Sequence, residues 1–290
     1  LCYELLDFQK KIPLVTTIHH PISKDLKYEL QSINSIFLKL LKIRWHSFLK
    51  MQMQVAKRLK KIIVPSLSSK ENIEEDFKVE YQNMSVILNG IDSSIFFPDQ
   101  NKTIAKRIVT IASADVPLKG LDFLLKAFAN LTNHLPDLEL HVIGSFSEGG
   151  HTDRKIKNLK IEKKVFFKSD LSFTEVRDMY CSADIVVIPS LYEGFGYPVI
   201  EAMSCEIPLI ATNVSAIPEL TSNYAKLIEP KNSEMISNSA KEIFSNYPKY
   251  IEIAKEGRQH VIQNFNWIKI TEEYEKVISK TKEEVNNANF

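Results

Sequence analysis

Two glutamates with seven residues between them stand out in residues 184–220. Glu193 precedes a loop that contains Gly194 and Gly196, and Glu201 follows in the first turn of a predicted helix. The glycines let the backbone approach a ligand closely, and the amides at a helix N-terminus favour an anion or an oxygen-rich sugar. Two carboxylates on one wall of a crevice suit the hydroxyls of a sugar and a ribose. A glutamate near a helix start and a glycine-containing turn also have a purely structural explanation.

The elements around this segment alternate between short apolar runs and helical stretches. The predicted strands after the middle of the chain are residues 107–112, 138–143, 164–167, 184–189, 208–212 and 225–228. Repeated alternation of this kind predicts an α/β protein with a doubly wound parallel sheet. Ligands bind at the carboxyl ends of such strands, so we expect the site in the loops that follow Ala112, Ile143, Ile188 and Thr212.

The N-terminal third has the same character. Residues 13–20, 60–65 and 85–90 are β-branched runs that predict buried strands. Apolar residues at helical spacing from Leu30 to Leu49 predict one long helix, and residues 66–77 predict another, capped by Ser68 or Ser69. Apolar periodicity is lost at residues 96–103, where a proline occurs. The predicted boundary therefore separates residues 1–97 from residues 98–265.

Charge is unevenly distributed along the chain. The formal net charge is +1, yet residues 30–70 hold nine basic and no acidic side chains. Phe37, Trp45 and Phe48 accompany these charges, so residues 39–61 predict contact with an anionic membrane surface, or else a solvated helix on its own domain. Three widely spaced cysteines indicate reduced thiols and a cytoplasmic location, peripheral at the inner face of the membrane if the lipid contact holds.

Several motifs resemble one known family. PSLYEGFGYPVIEAM closely resembles the E-x7-E signature of family 4 glycosyltransferases, which have the GT-B fold of two Rossmann-like domains facing across a cleft. VPLKGLDFLLKAF is similar to the donor-phosphate loop, SVILNGIDSSIFFP to the interdomain turn, and FNWIKITEEYEKV to the C-terminal helix. The resemblance implies that residues 1–97 are a partial, N-terminally incomplete acceptor-side domain. It also implies a nucleotide-sugar domain at residues 98–265 and a helix at residues 266–290 that returns to the first domain.

The resemblance implies roles for individual residues. Lys119 would contact the donor diphosphate; its structural alternative is a solvated lysine at a helix start, and the LKGLDFL context favours the functional interpretation. Glu193 would hold the transferred sugar and Glu201 the ribose hydroxyls. His19 matches the histidine that faces the donor sugar, and His20 is a second candidate. The implied catalytic residues are His19, Lys119 and Glu193, and the implied donor-binding residues are Lys119, Gly194, Phe195, Gly196 and Glu201.

Some positions depart from the family pattern. Ala114 replaces an arginine that partners the phosphate lysine, and Ser113 replaces a glycine. Asp115 is expected to bind sugar or cap the loop. Family glycines are also replaced by Glu206, Ser215 and Ala216. Asn89 and Asp92 match an Asn-Gly turn that we interpret as architectural.

The resemblance implies a retaining glycosyltransferase that moves a sugar from a nucleotide-diphosphate donor to a glycan or lipid-linked acceptor. It implies neither a cofactor nor a metal ion, and it gives no role to nucleic acid. Two alternatives remain open, namely a GT-B nucleotide-sugar epimerase and a non-catalytic nucleotide-sugar-binding module. We also expect that this chain, if incomplete at its N-terminus, binds a donor but transfers sugar poorly.

Overall fold

A computed structural model of the chain describes residues 1–101 and 103–288, with side chains described up to residue 286. The strands are β1 Thr16–Thr17, β2 Ile62–Val64, β3 Met84–Val86, β4 Arg107–Ile111, β5 Glu139–Ile143, β6 Val165–Lys168, β7 Ile185–Ile188, β8 Leu209–Thr212 and β9 Lys226–Ile228. The helices are α1 Glu4–Phe8, α2 Ser23–Ser32, α3 Ile36–Trp45, α4 Leu49–Ala56, α5 Leu67–Phe77, α6 Leu121–Thr132, α7 His151–Leu159, α8 Phe173–Cys181, α9 Tyr197–Ser204, α10 Ile217–Thr221, α11 Ser233–Ser245, α12 Tyr247–Asn264 and α13 Trp267–Ala288. None of these helices is long and apolar enough to cross a bilayer.

The chain forms two compact units. Unit 1 is Leu1–Gly90 together with the chain from Trp267 onward, and unit 2 is Ile91–Asn266. The predicted boundaries lie after residues 97 and 265. The difference at the first boundary arises because the turn after Gly90 belongs to unit 2, where the Ile91 amide donates to the Phe265 carbonyl over 2.8 Å.

Unit 1 contains a parallel sheet in the order β1-β2-β3. All three residues of β2 are fully buried, which agrees with a central parallel strand whose two faces are both covered. On one side Ile62 packs with Leu59 and Phe77 in the main core. On the other side α13 contributes a buried isoleucine, Ile270, to a cluster with Ile63. The first unit therefore includes the last helix of the chain.

The basic segment is not one long helix, so that prediction was wrong. Ile33 is extended, with φ −95° and ψ 127°, and it ends α2. Ser35 then begins α3, its hydroxyl accepting from the Leu38 amide over 3.4 Å. A β-branched residue followed by Asn34 and Ser35 favours this interruption, because short polar side chains compete for backbone hydrogen bonds.

The cap of α5 also differs from the prediction. Ser66 is the capping residue, and its hydroxyl accepts from the Ser69 amide over 3.0 Å. Ser69 instead donates its hydroxyl to the carbonyl of His19 over 3.1 Å. The helix therefore begins at Leu67, and Ser69 ties it to the loop after β1.

Unit 2 contains a six-stranded parallel sheet in the order β6-β5-β4-β7-β8-β9. The chain winds outward from β4 in one direction and then returns to begin the other half at β7. The predicted α/β class with parallel sheets is confirmed. The direction of winding reverses between β4 and β7, and this switch point is where open α/β sheets bind ligands.

Candidate active site

The loops after β4 and β7 lie against each other at the switch point. The Leu191 amide donates to the Leu118 carbonyl over 2.8 Å. Gly120 has φ +65°, and a Cβ added there would lie 1.9 Å from the Pro189 carbonyl oxygen. Only glycine fits this close approach, because any side chain would meet both backbone strain and a clash. The contact brings the two segments of chain that carry the predicted site residues to one place.

Lys119 and Glu193 form an ion pair at this junction. Nζ of Lys119 lies 2.7 Å from Oε1 of Glu193. The Ser190 hydroxyl donates to the same oxygen over 2.7 Å. The side chain of Glu193 is 11% exposed and that of Lys119 is 29% exposed. Both contacts involve Oε1 of the carboxylate, and both partners come from the ends of the switch-point strands.

Helix α9 starts immediately after this pair. Gly196 precedes its first residue with φ +109°, a conformation that favours glycine. A glycine at this position provides no side-chain cap, so the amides of the first turn depend on other acceptors. Phe195 is buried and its ring lies 6.2 Å from the ring of Phe265. This packing fixes the loop between Glu193 and the helix.

Glu201 lies in the second turn of α9 and not in the first, because the helix begins at Tyr197. The hydroxyl of Tyr180 donates to Oε2 of Glu201 over 2.9 Å. Burial raises the pKa of the Glu201 carboxyl to about 7, and the hydrogen bond from Tyr180 offsets only part of this effect. Burial also raises the pKa of Tyr180 well above its usual range, with Glu201 as the next cause. The carboxyl is therefore poised to change charge near neutral pH.

The predicted histidines belong to unit 1. His19 is exposed at the end of β1, and its carbonyl accepts from Ser69. Nε2 of His20 lies 2.8 Å from Oδ2 of Asp25, at the start of α2. His20 thus has a partner within its own unit, whereas the exposed imidazole of His19 is the better candidate for a ligand contact.

Two further predicted residues have structural contacts. Asp92 accepts from the amide of Ser94 over 2.9 Å and from its hydroxyl over 2.6 Å. These hydrogen bonds lower the pKa of Asp92. Asn89 is buried. The contacts of Asp92 are those of an Asx turn.

Asp115 caps helix α7. Its Oδ1 accepts from the Thr152 amide over 2.7 Å, and its own amide donates to the Thr152 hydroxyl over 3.0 Å. The Ala114 amide donates to the Ser145 carbonyl over 2.8 Å. The loop after β4 is therefore held by the loop after β5 at the position where the family has an arginine.

Two of the replaced family glycines keep a glycine-like backbone. Glu206 has φ 57° and Ser215 has φ 49°, both in the left-handed region. This conformation costs a non-glycine residue about 1–2 kcal/mol. Ala216 has an ordinary helical φ of −72° and precedes α10. The fold therefore keeps the backbone geometry at Glu206 and Ser215 in spite of their side chains.

Sequence reasoning missed Ser190 and Tyr180. Ser190 lies two residues after the end of β7 and three residues before Glu193, so its position close to a strand end was an available signal. Tyr180 lies 21 residues before Glu201, and no local pattern pairs the two. Within residues 1–101 and 103–288, no group of three or more His, Cys, Asp or Glu side chains could hold a metal ion.

The fold is that of an α/β protein in which Lys119, Glu193 and the start of α9 meet at the switch point of the larger sheet. Residues 92–260 match the model of the family described as Glycosyl transferases group 1, and residues 2–95 match Glycosyltransferase Family 4. The chain therefore belongs to the group 1 glycosyltransferases, and the resemblance to family 4 enzymes of the GT-B fold is confirmed.

Curated relatives are glycosyltransferases. The chain is 33% identical over 275 residues to MMP alpha-(1->4)-mannosyltransferase of Mycolicibacterium hassiacum, covering 92% of this chain and 66% of the relative. It is 26% identical to O-antigen chain mannosyltransferase RfbU of Salmonella typhimurium, covering 82% and 67%. It is 27% identical to one subunit of the phosphatidylinositol N-acetylglucosaminyltransferase of Homo sapiens, covering 77% and 46%. The chain thus spans about two thirds or less of the length of these relatives.

Solved structures share the fold. Anabaena HepE in complex with UDP and glucose superposes with a TM-score of 0.76 at 19% identity, covering 95% of this chain and 75% of that one. A glycosyltransferase from Rickettsia africae superposes with a TM-score of 0.68 at 23% identity, covering 81% and 67%.

Proposed function

We propose that this chain binds a nucleoside-diphosphate sugar at the switch point of unit 2 and transfers the sugar, with retention of configuration and without a metal ion, to a glycan or lipid-linked acceptor. The observation that carries this proposal is the contact between Lys119 and Glu193 beside the N-terminus of α9. A cation, a carboxylate and helix amides meet there, and these are the groups that a diphosphate joined to a polyhydroxylated sugar requires.

Lys119 supplies positive charge to the diphosphate. Phosphate oxygens and the carboxylate of Glu193 compete for the same ammonium group, which has three hydrogens to donate. Charge builds up on the departing phosphate during transfer, and a fixed cation in a partly buried site stabilises that charge most strongly at that stage. The amides at the start of α9 add to this effect. Lys119 thereby lowers the barrier more than it strengthens ground-state binding.

The two glutamates accept hydrogen bonds from the donor. Glu193 is held by Ser190 and Lys119, so its carboxylate is already oriented for the hydroxyls of the transferred sugar. Glu201 accepts from ribose hydroxyls, and Tyr180 orients its carboxyl. His19, which is exposed at the end of β1, is the further residue that the family resemblance assigns to the transferred sugar. No carboxylate need attack the anomeric carbon, so the acceptor hydroxyl enters on the face from which the diphosphate leaves.

The relatives guide the choice of substrates. Two of them are named as mannosyltransferases, so mannose donors are the first to test. The human relative is named for phosphatidylinositol, which supports a lipid-linked acceptor. The odd number and wide spacing of the cysteines along the sequence support a reducing, cytoplasmic setting.

A non-catalytic binding module is the second candidate, favoured by Ala114 in place of the phosphate-binding arginine. The deciding experiment is a thermal-shift screen of UDP, GDP and ADP sugars, followed by mass and anomeric NMR of products with candidate acceptors. A donor at 100 times its Kd should stabilise the fold by about 2.7 kcal/mol. Binding without product would favour the module, an inverted product would reject retention, and sugar conversion without an acceptor would indicate an epimerase. Failure of every nucleotide sugar to stabilise the chain would reject the site.

A further inference from the structure

Helix α3 presents large apolar side chains to solvent along its whole length. Seven of its ten residues are large and apolar, and each of the seven is between 46% and 77% exposed. These residues are Ile36, Phe37, Leu38, Leu40, Leu41, Ile43 and Trp45. Contiguous exposed apolar surface of this kind marks an interaction site on a water-soluble domain. All seven residues belong to unit 1.

The helix is oriented opposite to an ordinary surface helix. Lys39 and Lys42 are only half-exposed and lie on one side of the helix, since residues three apart share a face. Nζ of Lys42 lies 3.1 Å from Oε2 of Glu29 in the neighbouring α2. The polar side therefore faces the protein and the apolar side faces outward, whereas a surface helix normally buries its apolar side.

The apolar side also forms an open groove. It encloses about 650 Å³ and is lined by Ile33, Leu38, Leu41, Lys42, Arg44 and Trp45. Four of these six residues are apolar, and the other two, Lys42 and Arg44, are cations. A ligand with an apolar chain and an anionic head matches this distribution of groups.

The charge of the residues around α3 indicates what binds its apolar side. The segment around the helix carries nine basic and no acidic residues between Leu30 and Lys70, and Arg44 and Lys50 are exposed. A second copy docked on the same face would bring these like charges together, which disfavours self-association. An anionic bilayer instead attracts basic side chains while it buries the apolar ones. We propose that α3 docks this protein on the surface of an anionic lipid membrane.

The structure also changes the bounds of the segment that was predicted to contact the membrane. Residues 39–61 include α4, whose Leu49, Val55 and Ala56 are buried in the core of unit 1. Phe48 is half-buried and its ring stacks on His46 at 5.8 Å. Membrane contact therefore falls on residues 36–45, whereas α4 belongs to the core of unit 1.

The test uses the full chain and two kinds of vesicle, phosphatidylcholine alone and phosphatidylcholine with 30% phosphatidylglycerol. The chain should sediment with the anionic vesicles and not with the neutral ones. Phe37→Ser with Trp45→Ser should reduce the partition coefficient on the order of a hundredfold or more, because each change removes a large ring from the lipid. The matched control is Ile268→Ser, which removes a side chain that is 77% exposed outside α3. This control should bind as the unmodified chain does.

A charge variant gives a second, independent readout. Arg44→Gln with Lys50→Gln should weaken binding to anionic vesicles by a factor of about five for each cation removed. Lys126→Gln with Lys163→Gln, two exposed lysines of unit 2, should leave binding unchanged. Equal thermal stability of all four variants excludes misfolding as the cause of any difference.

Three outcomes would overturn the proposal. One is equal binding, or equal failure to bind, with neutral and anionic vesicles. Another is loss of binding in the Ile268 control to the same degree as in the α3 variant. The third is a stable dimer by analytical ultracentrifugation that the Phe37 and Trp45 changes dissociate, since a second copy would then cover the helix. None of these measurements requires donor binding or sugar transfer, so the proposal stands or falls separately from the enzymatic one.

Discussion

Nζ of Lys119 lies 2.7 Å from Oε1 of Glu193, although 74 residues separate them along the chain. The contact exists because β4 and β7 are neighbours in the sheet while the chain passes through β5 and β6 between them. Lys119, which we propose binds the diphosphate, and Glu193, which we propose binds the sugar, therefore hold each other in place. A bound donor has to share this ion pair or replace it.

Lys119→Ala and Glu193→Gln should each weaken donor binding on the order of tenfold to a hundredfold, because a hydrogen bond to a charged group contributes about 1.5–3 kcal/mol. The double variant should lose less than the sum of the two, since each single change also leaves a partner unpaired. Coupling of about 0.5–3 kcal/mol is typical of residues in contact. Calorimetric titration with the donor measures the affinities of the unmodified chain, the two single variants and the double variant, which together form a double-mutant cycle. Lys126→Ala is the control, and strict additivity would mean that the pair does not act as a unit.

Donor affinity should rise between pH 6 and pH 8. The pKa of Glu201 is about 7, so most of this carboxyl is protonated at pH 6 and most is ionised at pH 8. The ionised form accepts hydrogen bonds from ribose hydroxyls more strongly. If only that form binds, affinity increases by about tenfold over this range. Glu201→Gln should bind weakly with little pH dependence, and a wild-type affinity that falls with pH would contradict the assignment.

The same carboxyl should make stability depend on pH. The pKa is raised from the ordinary 4.5 to about 7 in the folded protein, so the folded state binds more protons than the unfolded state between these values. The contribution is fully present below about pH 4.5 and is lost as pH rises through about 7. Relative to Glu201→Gln, the free energy of unfolding should fall by up to about 3 kcal/mol from pH 4.5 to pH 8. Urea denaturation at several pH values measures it, and a constant difference would show an ordinary pKa.

Transfer should survive a chelator. Lys119 and the amides at the start of α9 occupy the role that a divalent cation plays in other sugar transferases, which is to offset phosphate charge. Product formation should therefore be equal within error with and without EDTA. If EDTA abolished activity and manganese restored it, the proposal of metal-free transfer would be wrong.

Gly120→Ala should destabilise unit 2 more than Gly149→Ala does. Both glycines have a positive φ, +65° and +71°, so each alanine meets a similar backbone strain of about 1–2 kcal/mol. Only the Cβ at position 120 collides with another segment, since nothing lies within 4 Å of a Cβ at position 149. The clash should add about 1–3 kcal/mol. Chemical denaturation of both variants compares them directly. Equal losses in the free energy of unfolding would mean that the loops after β4 and β7 separate easily.

The sequence predicted the strands of unit 2 well because most of them are short, largely buried runs between turn residues. β7, for example, is Ile185–Ile188 with all four residues buried. The long helix from Leu30 was the main failure. Apolar spacing continues across Ile33 and Asn34, so periodicity alone could not reveal an interruption caused by local backbone competition. The sequence pattern also did not predict the exposure of Trp45, since apolar spacing predicts burial.

At the candidate site, the positions of Lys119, Glu193 and Glu201 followed from motifs, but their chemistry did not. The pKa of Glu201 depends on burial and on Tyr180, which reaches it from another helix. The pairing of Lys119 with Glu193 depends on the order of strands in the sheet. Both depend on tertiary packing, which a short stretch of sequence does not reveal.

Unit 1 holds the first residues of the chain and also its last helix, and this has a consequence for how the protein is made. Ile270 of α13 completes a cluster with Ile63 and Ile87, yet all of unit 2 is synthesised between them. At about 5–20 residues per second, a ribosome needs roughly nine to thirty-five seconds to pass from Gly90 to Trp267. Unit 2 emerges as one uninterrupted stretch and is free to fold during that interval. Residues 1–90 therefore wait, with apolar surface open to chaperones, until α13 has been synthesised.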